Sequence, residues 1–215
     1  MPISNFPDPF SFNVLIRSAF ETFLVFYYIY IDTYDDQDKF EFRYISWELS
    51  GLFQRQKFPA ELEESIKKLR KERKLIDQLL ARLEKNLLFN SKTDREKKQY
   101  IKNLKYGRWR SKGWIEIAKS AGLSDLNSKY IYQFLSEHAH SGNISATQVS
   151  QSFDPKIRRK MMEGPLGQML IVTSNFIKSY TIYFPKSGEY YIKNYPEPNV
   201  VTFWVEIGSG NIEDK

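Results

Sequence analysis

The sequence predicts an all-α protein: a helical bundle domain of six to seven helices over residues 1–184, then a small C-terminal extension, 185–215, that is β-prone. Three observations predict it. Glycine and proline are few, 10 and 9 in 215 residues, so long stretches run without a breaker. Residues 60–88 carry a heptad seam, and residues 12–31 form an apolar run of helical length. With 41% hydrophobic and 27% charged residues the chain is globular in composition and long enough to bury a core without disulfides.

Taken in order, Phe12–Ile31 would form the first helix. It has about the length of a membrane span, but Arg17 and Glu21 near its centre would each cost about 2.5–3.5 kcal/mol there. A buried helix is expected instead, with Asn13, Arg17, Glu21 and Tyr28 as a polar stripe turned toward a specific partner. Residues 38–57 read as a second amphipathic helix ended near Pro59. Residues 60–88 make a third, in which Leu62, Ile66, Leu69, Arg73, Ile76, Leu80, Leu83 and Leu87 alternate spacings of four and three. Such a helix would span roughly 40 Å and bury its seam in an internal hairpin or a homodimer. Ser91 or Thr93 would N-cap a short helix before Gly107. Helices near 113–121 and 128–140 follow. Asp154-Pro155 opens another, and Pro165 the last long one, to about Phe184. Beyond Pro185, EYYIKN and NVVTFWVEI are β-prone runs that suggest a hairpin.

Composition excludes several chemistries. The chain has no cysteine, hence no disulfide, thiolate metal site or thiol catalysis, and two histidines are too few for a multi-imidazole metal centre. No glycine-rich nucleotide loop or nucleophile elbow occurs, so no cofactor is expected. The N-terminus lacks a basic secretory n-region, which together with the missing cysteines suggests a cytoplasmic protein. Lys and Arg number 32 against 26 Asp and Glu, a net +6. Between Lys92 and Lys112 nine basic residues face only Asp94 and Glu96, a local +7, so the rest of the chain is close to neutral. Lys97, Lys98, Lys102, Lys105, Arg108, Trp109 and Arg110 are the candidate nucleic-acid-binding residues, with Tyr100, Tyr106 and Trp114 as further aromatic surfaces for bases. A solvated charged helix is the plainer alternative.

Two constellations could carry chemistry. Arg17 and Glu21 share a helix face, either as an internal ion pair or as an arginine held ready for a phosphate or carboxylate. On the helix near 130–140, Tyr132, Ser136 and His140 are successive i, i+4 neighbours, whereas His138 points elsewhere, as a core histidine donating to a carbonyl. His140 lies in the last turn, where a cation suits the helix dipole, and reads equally as a cap or a catalyst.

The segments LIRSAFETF (15–23), GRWRSKGWIEIAKSAGL (107–123) and YIYQFLSEHAHSG (130–142) resemble, in order and chemistry, a helical prokaryotic family of unassigned function. Its R-S-x-x-E-like helix and Y-x-x-L-S-x-x-x-H motif fall on Arg17, Ser18, Tyr132, Ser136 and His140, with Glu21 a loose match and Trp109, Ala118 and Gly122 between them. The chain also distantly resembles the HEPN superfamily of toxins and defence ribonucleases, which pair an Arg and a His on one helix. Here no Arg precedes either His within eight residues. That resemblance implies a metal-independent endoribonuclease, with His140 as base or acid, Arg17 stabilising charge, oriented by Glu21, and Ser136 or Tyr132 positioning RNA. Two rivals stand beside it: a non-catalytic scaffold or oligomerisation module built on the heptad helix, and a helix-turn-helix DNA binder using the Ala118-x-x-x-Gly122 spacing. DNA fits less well than RNA, because Ser128 stands where an apolar residue should return.

Overall fold

Residues 8–140, 142–195 and 199–211 are described by a computed structural model, and among them every regular element is helical. The helices are α1 (Pro9–Phe26), continued by a π-helical turn (Tyr27–Ile31), then α2 (Gln37–Arg55), α3 (Glu63–Leu83), α4 (Leu87–Asn90), α5 (Asp94–Lys105), α6 (Trp114–Ser120), α7 (Asp125–Ala139), α8 (Asn143–Gln151), α9 (Pro155–Tyr183), α10 (Pro185–Asn194) and α11 (Asn199–Ser209). That is eleven α-helices among the described residues, more than the six to seven expected. The chain forms two compact units, Met1–Ile31 with Gly113–Lys215, and Asp32–Lys112. The second is inserted in the first, a division that differs from the expected boundary at 184.

In the first unit α1 begins at Asp8, whose carboxylate accepts from the backbone N–H groups of Phe10 and Ser11, with Pro9 in the first turn. α1 packs on α7 and α9. Ile16, Phe20, Phe23 and Leu24 are fully or almost fully buried, and so are Ile117, Ile131, Leu135 and Val172 from the other helices; each large side chain contributes about 1.5–3 kcal/mol. The polar stripe takes part in this packing: Asn13, Arg17 and Tyr28 are buried, while Val14 and Leu15 are exposed. For Arg17 the partner is inside the unit, on α7. By length and composition the helix Pro9–Ile31 is long and apolar enough to cross a membrane.

Two sequence expectations fail in this unit. α9 runs unbroken through Gly164-Pro165 instead of restarting at Pro165. A residue before proline avoids helix because its Cβ meets the ring; Gly164 has no Cβ. The β-prone extension is also helical. Val201, Trp204, Val205 and Gly208 lie at i, i+3, i+4 and i+7, which is a helical face, and α11 packs on α9. An isolated two-stranded hairpin is marginal at best, so packing overrides local propensity. Ser124 N–H donates to the Gly208 carbonyl (3.0 Å), and Asn127 Nδ2 donates to the carbonyls of Ile207 and Gly208 (2.9 Å each). The end of α11 thus sits on the first turn of α7.

The second unit is built from α2 to α5. Its core joins Ile45, Leu49 and Leu52 with Ile76, Leu79, Leu83, Phe89 and Leu104. α3 is shorter than the expected 60–88 helix because Asn86 caps a new helix, accepting from the N–H groups of Leu88 and Phe89. The heptad seam is buried only in part. Ile76 and Leu83 face α2, joined by Leu79, whereas Leu62 and Leu87 are exposed. α5 starts on Thr93 in a reciprocal capping box with Glu96 and ends at Gly107, whose φ of 79° glycine adopts without the steric cost a side chain would add.

Candidate functional site

The predicted residues fall into two groups, one per unit. In the first, α1 and α7 bring together Arg17, Glu21, Tyr132 and Ser136. Arg17 Nε and Nη2 both donate to Glu21 Oε1, at 2.9 and 2.6 Å, and Nη1 donates to Ser136 Oγ. The guanidinium lies over the Tyr132 ring, 4.5 Å from its centroid. Ser136 Oγ in turn donates to the Tyr132 carbonyl (2.5 Å). Three of five arginine N–H groups are thereby used, and the cation is enclosed by a carboxylate, a hydroxyl and a ring.

His140 is not one of these partners. It is exposed at the C-cap of α7, its backbone N–H donating to the Ser136 carbonyl (3.0 Å). His138 is buried, with Nδ1 2.9 Å from the Phe134 carbonyl and Nε2 2.9 Å from the Gln148 side-chain amide. Its ring packs on Phe134 and Phe10. The expected core role for His138 and its carbonyl partner are both present.

In the second unit α5 carries the charge. Stepping at 100° per residue, Arg95, Lys98, Lys102 and Lys105 fall in one stripe about 80° wide and about 15 Å long. Arg95, Lys98, Gln99 and Lys102 line an open groove of about 540 Å³. Among the described residues Arg95, Lys97, Lys98, Lys102, Lys105 and Arg108 enter no ion pair. Glu96 does not neutralise the stripe. Its carboxylate accepts from the Thr93 backbone N–H and hydroxyl, bonds that hold it below the ordinary carboxylate range.

Several cations rest on rings: Lys92 over Phe42 and Tyr100, Lys97 over Phe89, Lys105 over Phe53, and Arg110 over Trp109. Tyr100 is a core aromatic, stacked on Phe42 and hydrogen-bonded to Ser46, and Trp109 packs against the same core. Neither is an open platform for a base, whereas Tyr106 is 65% exposed. Trp114 belongs to α6 in the other unit. Arg95 and Gln99 are the groove residues that sequence reasoning left out of the site. The signal for them was the helical wheel of 94–105, because counting charge along the chain does not reveal which cations share a face.

Among the described residues no cluster of three or more metal-ligating side chains occurs. Residues 5–157 match a family of unknown function, DUF5677. The chain belongs to that family. No curated protein and no solved structure matches it. The DUF5677 match includes both the Arg17 cluster and α5; most of α9 and all of α10 and α11 lie beyond it.

Proposed function

We propose that this member of DUF5677 is an RNA-binding protein that holds the phosphate backbone on α5. The observation that carries the reading is the stripe Arg95, Lys98, Lys102 and Lys105, four cations on one helix face with no ion pair among the described residues, although Asp94 begins the same helix, and with Glu96 tied into its cap. Desolvating phosphates against unpaired cations releases counterions and gives affinity without sequence preference. Fluorescence anisotropy with a labelled RNA 20-mer tests it. Affinity should fall with salt at a log–log slope of about −0.7 per phosphate neutralised, and Lys98→Glu/Lys102→Glu should abolish binding. Salt-independent binding, or binding that survives the double reversal, would sink the proposal.

A HEPN-like ribonuclease is the second reading, favoured by the Arg17 cluster that joins α1 to the Y-x-x-L-S-x-x-x-H helix. Such an enzyme takes the 2′-OH proton with a base and stabilises the phosphorane with a cation. Arg17 is engaged by Glu21 and Ser136 rather than by an imidazole, so the geometry favours binding over cleavage. Incubation with RNA in EDTA distinguishes the two: cyclic-phosphate ends that disappear in His140→Ala would establish the ribonuclease. DNA recognition through α6 and α7 has less support. The first turn of α7, which a groove-reading helix offers to bases, is where the α11 carbonyls are bound.

A further inference from the structure

Beside the cations α5 carries a second ladder. Gln99 Nε2 donates to Asn103 Oδ1 at 3.1 Å, one turn along the same helix. On the wheel the pair stands about 40–100° from Arg95 and Lys102, and Gln99 lines the same groove as Arg95, Lys98 and Lys102. Both amides are oriented by their mutual bond, which occupies one Gln99 N–H and one lone-pair direction on Asn103. What remains is a fixed acceptor, Gln99 Oε1, and fixed donors on Asn103 Nδ2.

A ribose 2′-hydroxyl is at once donor and acceptor and is the group that separates RNA from DNA. We infer that Gln99 and Asn103 are the sugar-reading edge of the α5 surface, contacting 2′-hydroxyls of a single RNA strand whose phosphates lie along Arg95, Lys98, Lys102 and Lys105. This rests on the reading of α5 as an RNA surface. A single strand is favoured because Tyr106, at the end of the stripe, is largely exposed and carries Lys57 over its ring, 5.5 Å from the centroid, which sets an aromatic surface and a cation side by side for an unpaired nucleotide. Charge alone cannot distinguish ribose from deoxyribose, since both backbones carry one phosphate per nucleotide. The amide pair supplies a physical basis for that discrimination.

The test compares one labelled 20-mer as single-stranded RNA, as the same sequence of DNA and as duplex RNA, at fixed salt. The unmodified protein should prefer single-stranded RNA over DNA by about tenfold, the value of one or two modest hydrogen bonds, and should bind duplex RNA more weakly than the single strand. Gln99→Leu/Asn103→Leu should bring the RNA:DNA ratio close to one by weakening RNA binding while DNA binding stays unchanged; circular dichroism checks that the helix is intact. Equal affinity for RNA and DNA in the unmodified protein, a ratio that persists in the double variant, or tighter binding of the duplex would overturn the inference while leaving α5 as a nucleic-acid surface. Binding of none of the three probes would instead remove the reading beneath it.

Discussion

Glycine-to-alanine replacement should have opposite signs at Gly208 and Gly51. An added Cβ at Gly208 would stand 2.9 Å from Ile171 Cγ2, 3.1 Å from Leu123 Cδ2 and 3.2 Å from Asn175 Nδ2. Carbon contacts are comfortable at about 3.5–4.0 Å. None of the three neighbours can retreat easily: all are buried, and Asn175 Nδ2 is already bonded to the Ile171 carbonyl at 2.9 Å. Overpacking of this kind costs about 1–3 kcal/mol. Against it stands the helix preference for alanine, about 0.5–1 kcal/mol in a helix interior and less in a last turn. Gly208→Ala should therefore destabilise the first unit by about 1–2 kcal/mol. At Gly51, inside α2, no heavy atom of the described residues beyond the helix's own adjoining backbone lies within 4 Å of the new Cβ, and Gly51→Ala should stabilise by about 0.5–1 kcal/mol. Thermal melting by circular dichroism gives the signs. Hydrogen exchange at the Ser124 amide, which donates to the Gly208 carbonyl, reports whether α11 has lifted from α7. A Gly208→Ala protein as stable as the unmodified one, with the Ser124 amide equally protected, would refute the packing argument.

Buried acceptors offer a second test. Among the described residues Asn13 Oδ1 and Gln168 Oε1 have no hydrogen-bond partner, and an unsatisfied buried group costs about 1–3 kcal/mol; Asn13→Leu and Gln168→Met should each raise the urea midpoint. Arg17→Met leaves Glu21 and Ser136 without their cation, and because Glu21 is one-third exposed the loss should be about 1–3 kcal/mol, below the range for a fully buried pair; Arg17→Met/Glu21→Leu should recover most of it, measured by chemical denaturation. Hydrogen bonds from Lys119 and Lys129 hold the Asp125 carboxyl at about 2, against 3.8 when unfolded. Its folded pKa is depressed, so its stabilisation is present above pH 4 and is lost as pH falls toward 2. Asp125→Asn should lower the melting temperature at pH 7, and the difference should close by pH 2.

The helical class and the limits of α5 were legible because local chemistry decides them: Thr93 caps, and Gly107 stops. His138 was legible because its neighbours on the wheel are apolar. The continuity of α9 was not, since a proline is normally read as a helix start and its effect here depends on the glycine before it. The β-prone extension misled for a related reason. Val201, Trp204 and Val205 have strand propensity, but the face they share with Gly208 becomes visible only with α9 against it. In the site, the stripe of 13, 17, 21 and 28 included Arg17, which does meet a partner, yet a sequence cannot say whether that partner is another molecule or Ser136, more than a hundred residues away. Arg95 was counted with the charge and missed in the groove, because linear density and angular placement are different properties.

The nesting of one unit inside the other fixes an order of events during synthesis. α1 is complete when residue 26 has been made, but α7, which encloses Arg17, is not finished until residue 139, and α9 follows later still. At about 5–20 residues per second the growing chain spends several seconds to tens of seconds with an apolar helix of membrane-spanning length and without α7 and α9, the helices that pack on it in the finished unit. The inserted unit, contiguous and rich in neighbouring-helix contacts, can fold in that interval. By doing so it shortens the loop that α6 to α11 must close, which as a flexible chain of about eighty residues would cost about 4 kcal/mol. The same interval is when α1 is most exposed to chaperones, aggregation or a lipid surface, so variants that delay the inserted unit should show their defect in yield before they show it in the stability of the finished protein.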